Sequence, residues 1–264
     1  MRLVFLKLGG SLITDKTRAY AARLEKLDAI ASEIASVIRD DASLQLVLGH
    51  GSGSFGHAAA SRYDTLRGVY GPEAWRGFAE VWYQASALDR LLVEALHRVD
   101  LPVVAISPAA SVTAHDGKLL IWDTYPIQAA LTNGLIPIIH GDVVFDEIRG
   151  GTILSTEELF SHLARQLHPQ RILLAGMETG VWTDFPSRQH LLTEITPDGF
   201  NLQDMGSGVA AGTDVTGGMA TKVIGMLALV EQIPNLEIFI FSGEKPGNLH
   251  RSLLGENLGT HLHR

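Results

Sequence analysis

Short apolar runs alternate with longer amphipathic stretches along most of the chain. Runs rich in Val, Ile and Leu are typical of buried β-strands when polar or glycine-rich sequence follows them. Between these runs, apolar residues recur every three or four positions, which predicts helices with one buried face. The strands are predicted at 3–8, 44–48, 103–106, 135–139, 172–174 and 238–241, and the helices at 24–38, 73–99, 125–131, 157–167 and 219–230.

Apolar strands that alternate with helices indicate a mostly parallel sheet covered on both faces. We therefore predict an α/β fold, a three-layer αβα sandwich around a mostly parallel open sheet. The more polar stretch at 181–198 is interpreted as a hairpin or a lid. The chain has 264 residues and no internal repeat or clear linker. It is expected to form one domain, 1–264, whose N-terminal lobe (about 1–170) and C-terminal lobe (about 171–264) share the sheet.

Composition and charge exclude several classes of protein. The absence of cysteine excludes disulfides, a thiol nucleophile and thiolate metal sites. A net charge of −8 without a basic block argues against a nucleic-acid surface. The longest apolar runs are too short to span a bilayer, and Lys7 interrupts the first of them before a signal sequence can form. These features favour a cytoplasmic protein that binds a small molecule and neither nucleic acid nor membrane.

Three glycine clusters mark the places where a ligand is expected, because ligands of open α/β sheets bind at the carboxyl ends of strands. The first cluster, Gly9-Gly10-Ser11, follows the first strand and lies between Lys7 and Lys16. Glycine lets the backbone approach a phosphate closely, and lysine supplies positive charge. In isolation, the same residues also fit a tight turn between two solvated lysines.

The second cluster, 49–57, contains four glycines in nine residues. Gly51, Gly53 and Gly56 have the G-x-G-x-x-G spacing of a dinucleotide-binding loop. That fingerprint also needs an acidic residue at the end of the next strand, and the acidic residues at that distance lie in a predicted helix. A dehydrogenase is therefore disfavoured, as is a P-loop enzyme, whose Walker pattern is absent. An anion-holding loop that ends in His57 remains, beside the alternative of a structural histidine.

The third cluster, 213–219, contains Gly217 and Gly218, which open a predicted helix, and Lys222 lies one turn into that helix. A helix N-terminus of this kind can hold an anion. Alternatively, Asp214 or Thr216 simply caps the helix.

Taken together, these segments resemble the amino acid kinase superfamily, and within it the branch whose acceptor is isopentenyl phosphate. Each motif alone is weak, but four of them occur in the order of the family over nearly the whole chain. The motifs are Lys7-Leu8-Gly9-Gly10-Ser11 with Lys16, 50–57, His140-Gly141-Asp142, and 214–219 with Lys222. The resemblance implies the αβα fold, ATP with Mg²⁺ as phosphoryl donor, a prenyl monophosphate as acceptor in isoprenoid biosynthesis, and a homodimer.

The resemblance also implies roles for individual residues. The catalytic residues would be Lys7, Lys16, His57 and Lys222. ATP would be bound by Lys7, Leu8, Gly9, Gly10, Ser11, Gly53, Met177, Gly218 and Lys222. The acceptor would be bound by Ser52, Gly56, His57 and Thr156. No residue is assigned to a metal.

The sequence departs from the family pattern at three places. Ser52 interrupts the usual run of three glycines, and Ser155-Thr156-Glu157-Glu158, which has the pattern of a helix cap, replaces Ser-Gly-Asp-Asp. The segment 176–180 lacks two aspartates of the nucleotide side, which leaves nucleotide preference open. A kinase for a fosfomycin-type phosphonate and a non-catalytic nucleotide or oxyanion binder are therefore kept as alternatives. Aromatic residues at 75–83 favour the isoprenoid acceptor.

Overall fold

An eight-stranded sheet forms the centre of the fold in the computed structural model, which describes residues 1–201 and 218–264. The strands are β1 Arg2–Leu8, β2 Leu44–His50, β3 Val103–Ala105, β4 Val112–His115, β5 Lys118–Trp122, β6 Ile136–His140, β7 Asp142–Asp146, β8 Gly150–Leu154, β9 Arg171–Gly176, β10 Val181–Trp182, β11 Leu191–Leu192, β12 Glu194–Ile195, β13 Glu237–Ser242 and β14 Thr260–Leu262. The helices are α1 Gly10–Ile13, α2 Leu24–Asp40, α3 Gly53–Tyr63, α4 Gly71–His97, α5 Pro108–Ser111, α6 Tyr125–Thr132, α7 Thr156–Leu167, α8 Gly218–Gln232 and α9 Asn248–Leu253.

The strand order of the large sheet is β12-β14-β13-β9-β1-β2-β6-β3. Neighbouring strands are parallel except for β13 and β14. Leu8 at the end of β1 is in register with His50 of β2 and Ala175 of β9. The carboxyl ends of the central strands therefore lie side by side at one edge of the sheet.

Apolar layers cover both faces of this sheet. Val4, Leu6 and Leu8 of β1 belong to a buried cluster with α2, α4 and α9, whereas Phe5 belongs to the cluster formed with α6, α7 and α8. Successive side chains of a strand point to opposite faces, so a strand buried on both faces is apolar at every position. The predicted three-layer αβα sandwich with a mostly parallel sheet is confirmed.

A second sheet, of four strands in the order β5-β4-β7-β8, was not predicted. Its strands lack the uninterrupted burial of the central ones, since Leu120, Ile121 and Phe145 are all exposed. A half-buried strand is usually inferred from alternating apolar and polar residues, and apolar residues on the exposed face remove that alternation. In the mixed stretch at 181–198, β10 and β11 form an antiparallel pair, as the hairpin interpretation expects.

Membrane-spanning helices were not expected from the sequence. No helix within residues 1–201 and 218–264 is long and apolar enough to cross a membrane.

Candidate functional site

The first two glycine clusters meet above the ends of β1 and β2. The Gly9 N–H donates to the Ala175 carbonyl at 2.8 Å, and the Gly51 N–H donates to the Leu8 carbonyl at 3.0 Å. The side chain of Leu8 is fully buried in the core, so only its main chain takes part in this edge. Each loop is thus fixed to the strand end beside it.

The two loops are also in direct backbone contact. A Cβ atom added to Gly10 would lie 2.5 Å from the Gly53 amide nitrogen, and one added to Gly51 would lie 3.0 Å from the Gly10 nitrogen. Gly53 has a φ of +50°, a conformation that favours glycine. Thr14 joins the same loops, because its Oγ1 accepts the Ser54 N–H at 3.0 Å and donates to the Gly10 carbonyl at 2.7 Å. Two motifs that are about forty residues apart in sequence therefore form one surface.

Two predicted lysines meet on one carboxylate. Lys7 of β1 forms an ion pair with Glu157, and Lys222 Nζ of α8 lies 3.6 Å from Glu157 Oε1. Glu157 is the second residue of α7, which Ser155 and Glu158 cap in a reciprocal pair of hydrogen bonds. Lys7, which precedes the first cluster, and Lys222, which follows the third, are therefore brought together at the N-terminus of α7.

The charges around Glu157 decide its ionisation. Burial raises the pKa of this carboxyl, but the nearby ammonium groups of Lys7 and Lys222 outweigh burial and lower the pKa to about 2. Glu157 is therefore an anion held between two cations, at a place where phosphate oxygens would find the same partners. Sequence reasoning interpreted Glu157 only as part of a helix cap.

Lys16 and His57 belong to segments that adjoin the two loops. Lys16 is exposed in the segment between α1 and α2, and that segment contacts α3 where the Ala21 N–H donates to Ser54 Oγ at 3.4 Å. His57 is half-buried in the second turn of α3. Gly56 packs directly on Ser52, since an added Cβ atom would lie 2.5 Å from Ser52 Cβ.

Thr156 has little freedom to bind a ligand through its side chain. It is buried, and its hydroxyl donates to the His50 carbonyl at 2.6 Å. Any contact of Thr156 with the acceptor would therefore come from its main chain in the first turn of α7.

The remaining predicted nucleotide contacts lie in α1, just after β9 and at the start of α8. Ser11 is half-buried in α1, and Met177 is exposed just after β9. Gly218 begins α8 with a φ of +70°. Thr213 to Gly217, which complete the third glycine cluster, lie outside the described residues.

A buried polar cluster behind the loops was not singled out from the sequence. His50 Nε2 lies 3.1 Å from Asp89 Oδ1, and His140 Nδ1 lies 3.7 Å from the same oxygen. Potential ligand atoms of these three residues all lie within 4.8 Å of one another, which is close enough to hold a cation. The sequence signal was weak, because 39 residues separate His50 from Asp89.

Comparison with known proteins identifies the family of this chain. The sequence model of the amino acid kinase family matches residues 2–242.

The chain belongs to the amino acid kinase family.

Related amino acid kinases resemble this chain over almost its full length. It is 34% identical to isopentenyl phosphate kinase of Methanothermobacter thermautotrophicus and 32% identical to that of Methanocaldococcus jannaschii, with 98% of each chain covered in both cases. A crystal structure of an isopentenyl phosphate kinase matches with a TM-score of 0.84 and 30% identity, covering 99% of this chain and 100% of the other. The family assignment thus agrees in sequence and in fold.

Proposed function

We propose that this amino acid kinase is an isopentenyl phosphate kinase, which transfers the γ-phosphoryl group of ATP to isopentenyl phosphate. The products are ADP and isopentenyl diphosphate, a step of isoprenoid biosynthesis. Full-length relatives of that name support the assignment. The observation that carries it is the convergence of Lys7 and Lys222 on Glu157 beside two glycine loops in backbone contact.

The chemistry of the site suits an acceptor that is already an anion. A phosphate oxygen needs no general base, unlike a hydroxyl group. The enzyme must instead hold two anions together and stabilise the transferring group, and phosphoryl transfer depends mainly on such positioning and charge stabilisation. Lys7, Lys16 and Lys222 would supply the charge, and His57 would donate a hydrogen bond to the acceptor phosphate.

Glu157 is the anion that pairs with both lysines of the site. When ATP is bound, its oxygens would share the two lysines with Glu157, which would then act as a positioning residue that holds both ammonium groups at the strand ends. The amides of the first loop, from Gly9 to Ser11, and of Gly53 and Gly218 would complete the nucleotide site, with Met177 at its outer edge.

Mg²⁺ enters this proposal as part of the substrate Mg-ATP. The Glu157 carboxylate, which lies between Lys7 and Lys222, is already paired with both lysines. That donor set suits phosphate oxygens better than a resident Mg²⁺, which prefers carboxylate and water oxygens. We therefore assign no metal ligand to the protein here.

An apolar cluster beside α3 supports a prenyl tail on the acceptor. Ala59 and Ala60, which follow His57 in α3, are buried together with Phe78 and Val81 of α4. A C5 tail attached to a phosphate at His57 would lie beside these apolar side chains, which are buried against one another. The panel of acceptors described next separates isopentenyl phosphate from the phosphonate alternative.

A panel of acceptors with Mg-ATP tests the proposal. Isopentenyl phosphate, dimethylallyl phosphate, fosfomycin, uridylate and glutamate would be compared by ADP release and by mass analysis of the product. We expect the highest kcat/KM with isopentenyl phosphate. A preference for fosfomycin would replace the proposed acceptor, and ATP turnover that no acceptor stimulates would favour the non-catalytic alternative.

We further infer a homodimer in the cytoplasm. The exposed apolar residues Leu120, Ile121 and Phe145 of the second sheet support a subunit contact, and the cysteine-free composition suits a reducing compartment. Light scattering should give twice the chain mass of 28.5 kDa. A monomer at micromolar concentration would contradict the dimer.

A further inference from the structure

His50, the last residue of β2, joins several parts of the site. Its carbonyl accepts hydrogen bonds from the Gly141 N–H at 3.2 Å and from Thr156 Oγ1 at 2.6 Å. Its fully buried ring lies between Gly51 and Asp89, with Nδ1 3.2 Å from the Gly51 carbonyl and Nε2 3.1 Å from Asp89 Oδ1. The ring therefore links helix α4 to the first peptide of the second glycine loop.

Both nitrogens of the His50 ring face oxygen atoms. The Asp89 carboxylate lies opposite Nε2 in a buried place, where a charge without a hydrogen-bonding partner would be costly. Burial raises the pKa of Asp89, but its hydrogen bond and charge interaction with His50, helped by His140 and Arg90, lower the pKa overall.

His140 extends the same cluster. Its ring lies 5.2 Å from that of His50 and nearly parallel to it, and its Nε2 is 3.4 Å from Asp142 Oδ2. Neither ring nitrogen of His140 meets hydrogen-bond geometry with a residue in the described ranges. Asp89 is therefore bound more closely to His50, and the Asp89–His50 pair is the contact that reaches the loop.

The orientation of one peptide depends on this pair. The Gly51 carbonyl and the Ser52 N–H belong to the same planar trans unit and point in opposite directions. Because the carbonyl is turned to the buried ring, the Ser52 N–H is turned away from it, and no residue in the described ranges accepts it. Glycine at position 51 gives the peptide little intrinsic preference, so an external contact must fix it.

We propose that Asp89 is a positioning residue for phosphoryl transfer: through the His50 ring it holds the Gly51–Ser52 peptide with the Ser52 N–H directed at the acceptor phosphate. This inference rests on the proposed function, since it needs an anionic acceptor at the second loop. Asp89 itself lies within α4, behind the loop, and acts on the acceptor only through His50.

Three variants test the role of Asp89. Asp89→Leu removes the polar partner of the ring, whereas Asp89→Asn keeps a group that can donate to Nε2 and leaves the Nδ1–H for Gly51. Leu92→Ala, one turn further along α4 and fully buried, controls for loss of stability without loss of the contact. Each is compared with wild type by thermal unfolding and by steady-state kinetics in both substrates.

We expect Asp89→Leu to raise the KM for isopentenyl phosphate about tenfold to a hundredfold, the equivalent of one hydrogen bond to a charged group. The KM for ATP should change several times less, since Lys7 and Lys222, which would hold the ATP phosphates, pair with Glu157 and not with Asp89 or His50. Asp89→Asn should recover most of the acceptor affinity. Leu92→Ala should lower stability without raising the KM for isopentenyl phosphate more than the KM for ATP. Equal effects of Asp89→Leu on both substrates, or an Asp89→Asn enzyme as impaired as Asp89→Leu, would overturn the proposal.

A measurement without substrates separates this inference from the proposed function. In the ¹⁵N–¹H spectrum of the unliganded protein, the Ser52 amide should shift in Asp89→Leu and not in Leu92→Ala. An unshifted amide would overturn the positioning role whatever the acceptor is. If the wild-type protein does not phosphorylate isopentenyl phosphate but the Ser52 amide still shifts in Asp89→Leu, the proposed acceptor is wrong and the contact is supported. Metal analysis completes the test, because a stoichiometric ion on His50, Asp89 and His140 would replace the hydrogen bonds described here.

Discussion

Glu157 shows how single residues set the electrostatics of this site. One carboxylate lies between the ammonium groups of Lys7 and Lys222, which come from opposite ends of the chain. Two lysines this close would repel each other without an anion between them, whether that anion is Glu157 or a phosphate. This pairing lowers the pKa of Glu157, because both ammonium groups stabilise its charged form.

The first prediction is a pH-dependent contribution of Glu157 to stability. Its pKa in the folded chain, about 2, lies below the ordinary value of 4.5, so its stabilising effect is complete above pH 4.5 and is lost as the pH falls toward 2. Glu157→Gln should therefore unfold at lower urea concentration than wild type at neutral pH, and the difference should shrink in acid.

A suitable control is Glu94→Gln, which removes an exposed carboxylate paired with Arg90. That variant should stay close to wild type throughout, because exposed ion pairs contribute little. A gap between Glu157→Gln and wild type that is constant from neutral pH to about pH 3 would contradict the assignment.

The second prediction concerns His57. If it donates to the acceptor phosphate, His57→Ala should lower kcat/KM for isopentenyl phosphate by about a hundredfold to a thousandfold, the usual effect of losing a donor to developing charge. His97→Ala, at the exposed end of α4, should leave the kinetics unchanged. Near-normal kinetics of a folded His57→Ala enzyme would remove His57 from the mechanism.

Contacts between α1 and α3 decide whether the two glycine loops form one surface. The backbone of Gly10 touches that of Gly53 with no room for a Cβ atom, and backbone atoms cannot move aside as a flexible side chain could. The glycines at this contact are therefore required by packing as much as by any ligand.

The third prediction compares two glycine substitutions. Gly10→Ala should destabilise the protein by about 1–3 kcal/mol, because α1 and α3 must separate. Gly225→Ala in α8 should stabilise it by about 0.4–1 kcal/mol, because nothing lies within 4 Å of the added Cβ and alanine favours the helix. Urea unfolding measures both, and a Gly10→Ala variant as stable as wild type or more stable would show that the Gly10–Gly53 contact is not tight.

Nucleotide binding is expected to act on the molecule as a whole. Lys7 and Glu157 belong to the predicted N-terminal lobe and Lys222 to the predicted C-terminal lobe, so a phosphate group between the lysines would link parts of the chain that are about two hundred residues apart in sequence. A ligand that binds only the folded state stabilises all of it.

The fourth prediction is that Mg-ATP at about 100 times its Kd stabilises the wild-type protein by about 2.7 kcal/mol. Lys222→Gln should reduce this gain strongly at the same ATP concentration, whereas Lys118→Gln, on the exposed β5, should keep it. Differential scanning calorimetry gives the comparison. An undiminished gain in Lys222→Gln would place the nucleotide elsewhere.

The amino-acid sequence by itself determined six of the eight strands of the central sheet and the three glycine clusters, whereas the short strands β12 and β14 were not predicted. Strands such as β1 contain an unbroken apolar run, here Leu3 to Leu6, because both of their faces are covered, and that pattern is local. The first glycine cluster follows β1 and the second follows β2, where backbones approach each other, so their positions could also be predicted. The second sheet could not, because its pairing depends on partners far along the chain and its exposed residues show no alternation.

The partners of the site residues were decided only by the tertiary structure. Glu157 has the sequence of an ordinary helix cap, and its role arises because β1 and α8 place two lysines against the start of α7. Asp89 lies in the middle of a long helix, and it meets His50 only because α4 packs behind the loops. Charge and hydrogen bonding act through space over a few ångströms, whereas a sequence records only order along the chain.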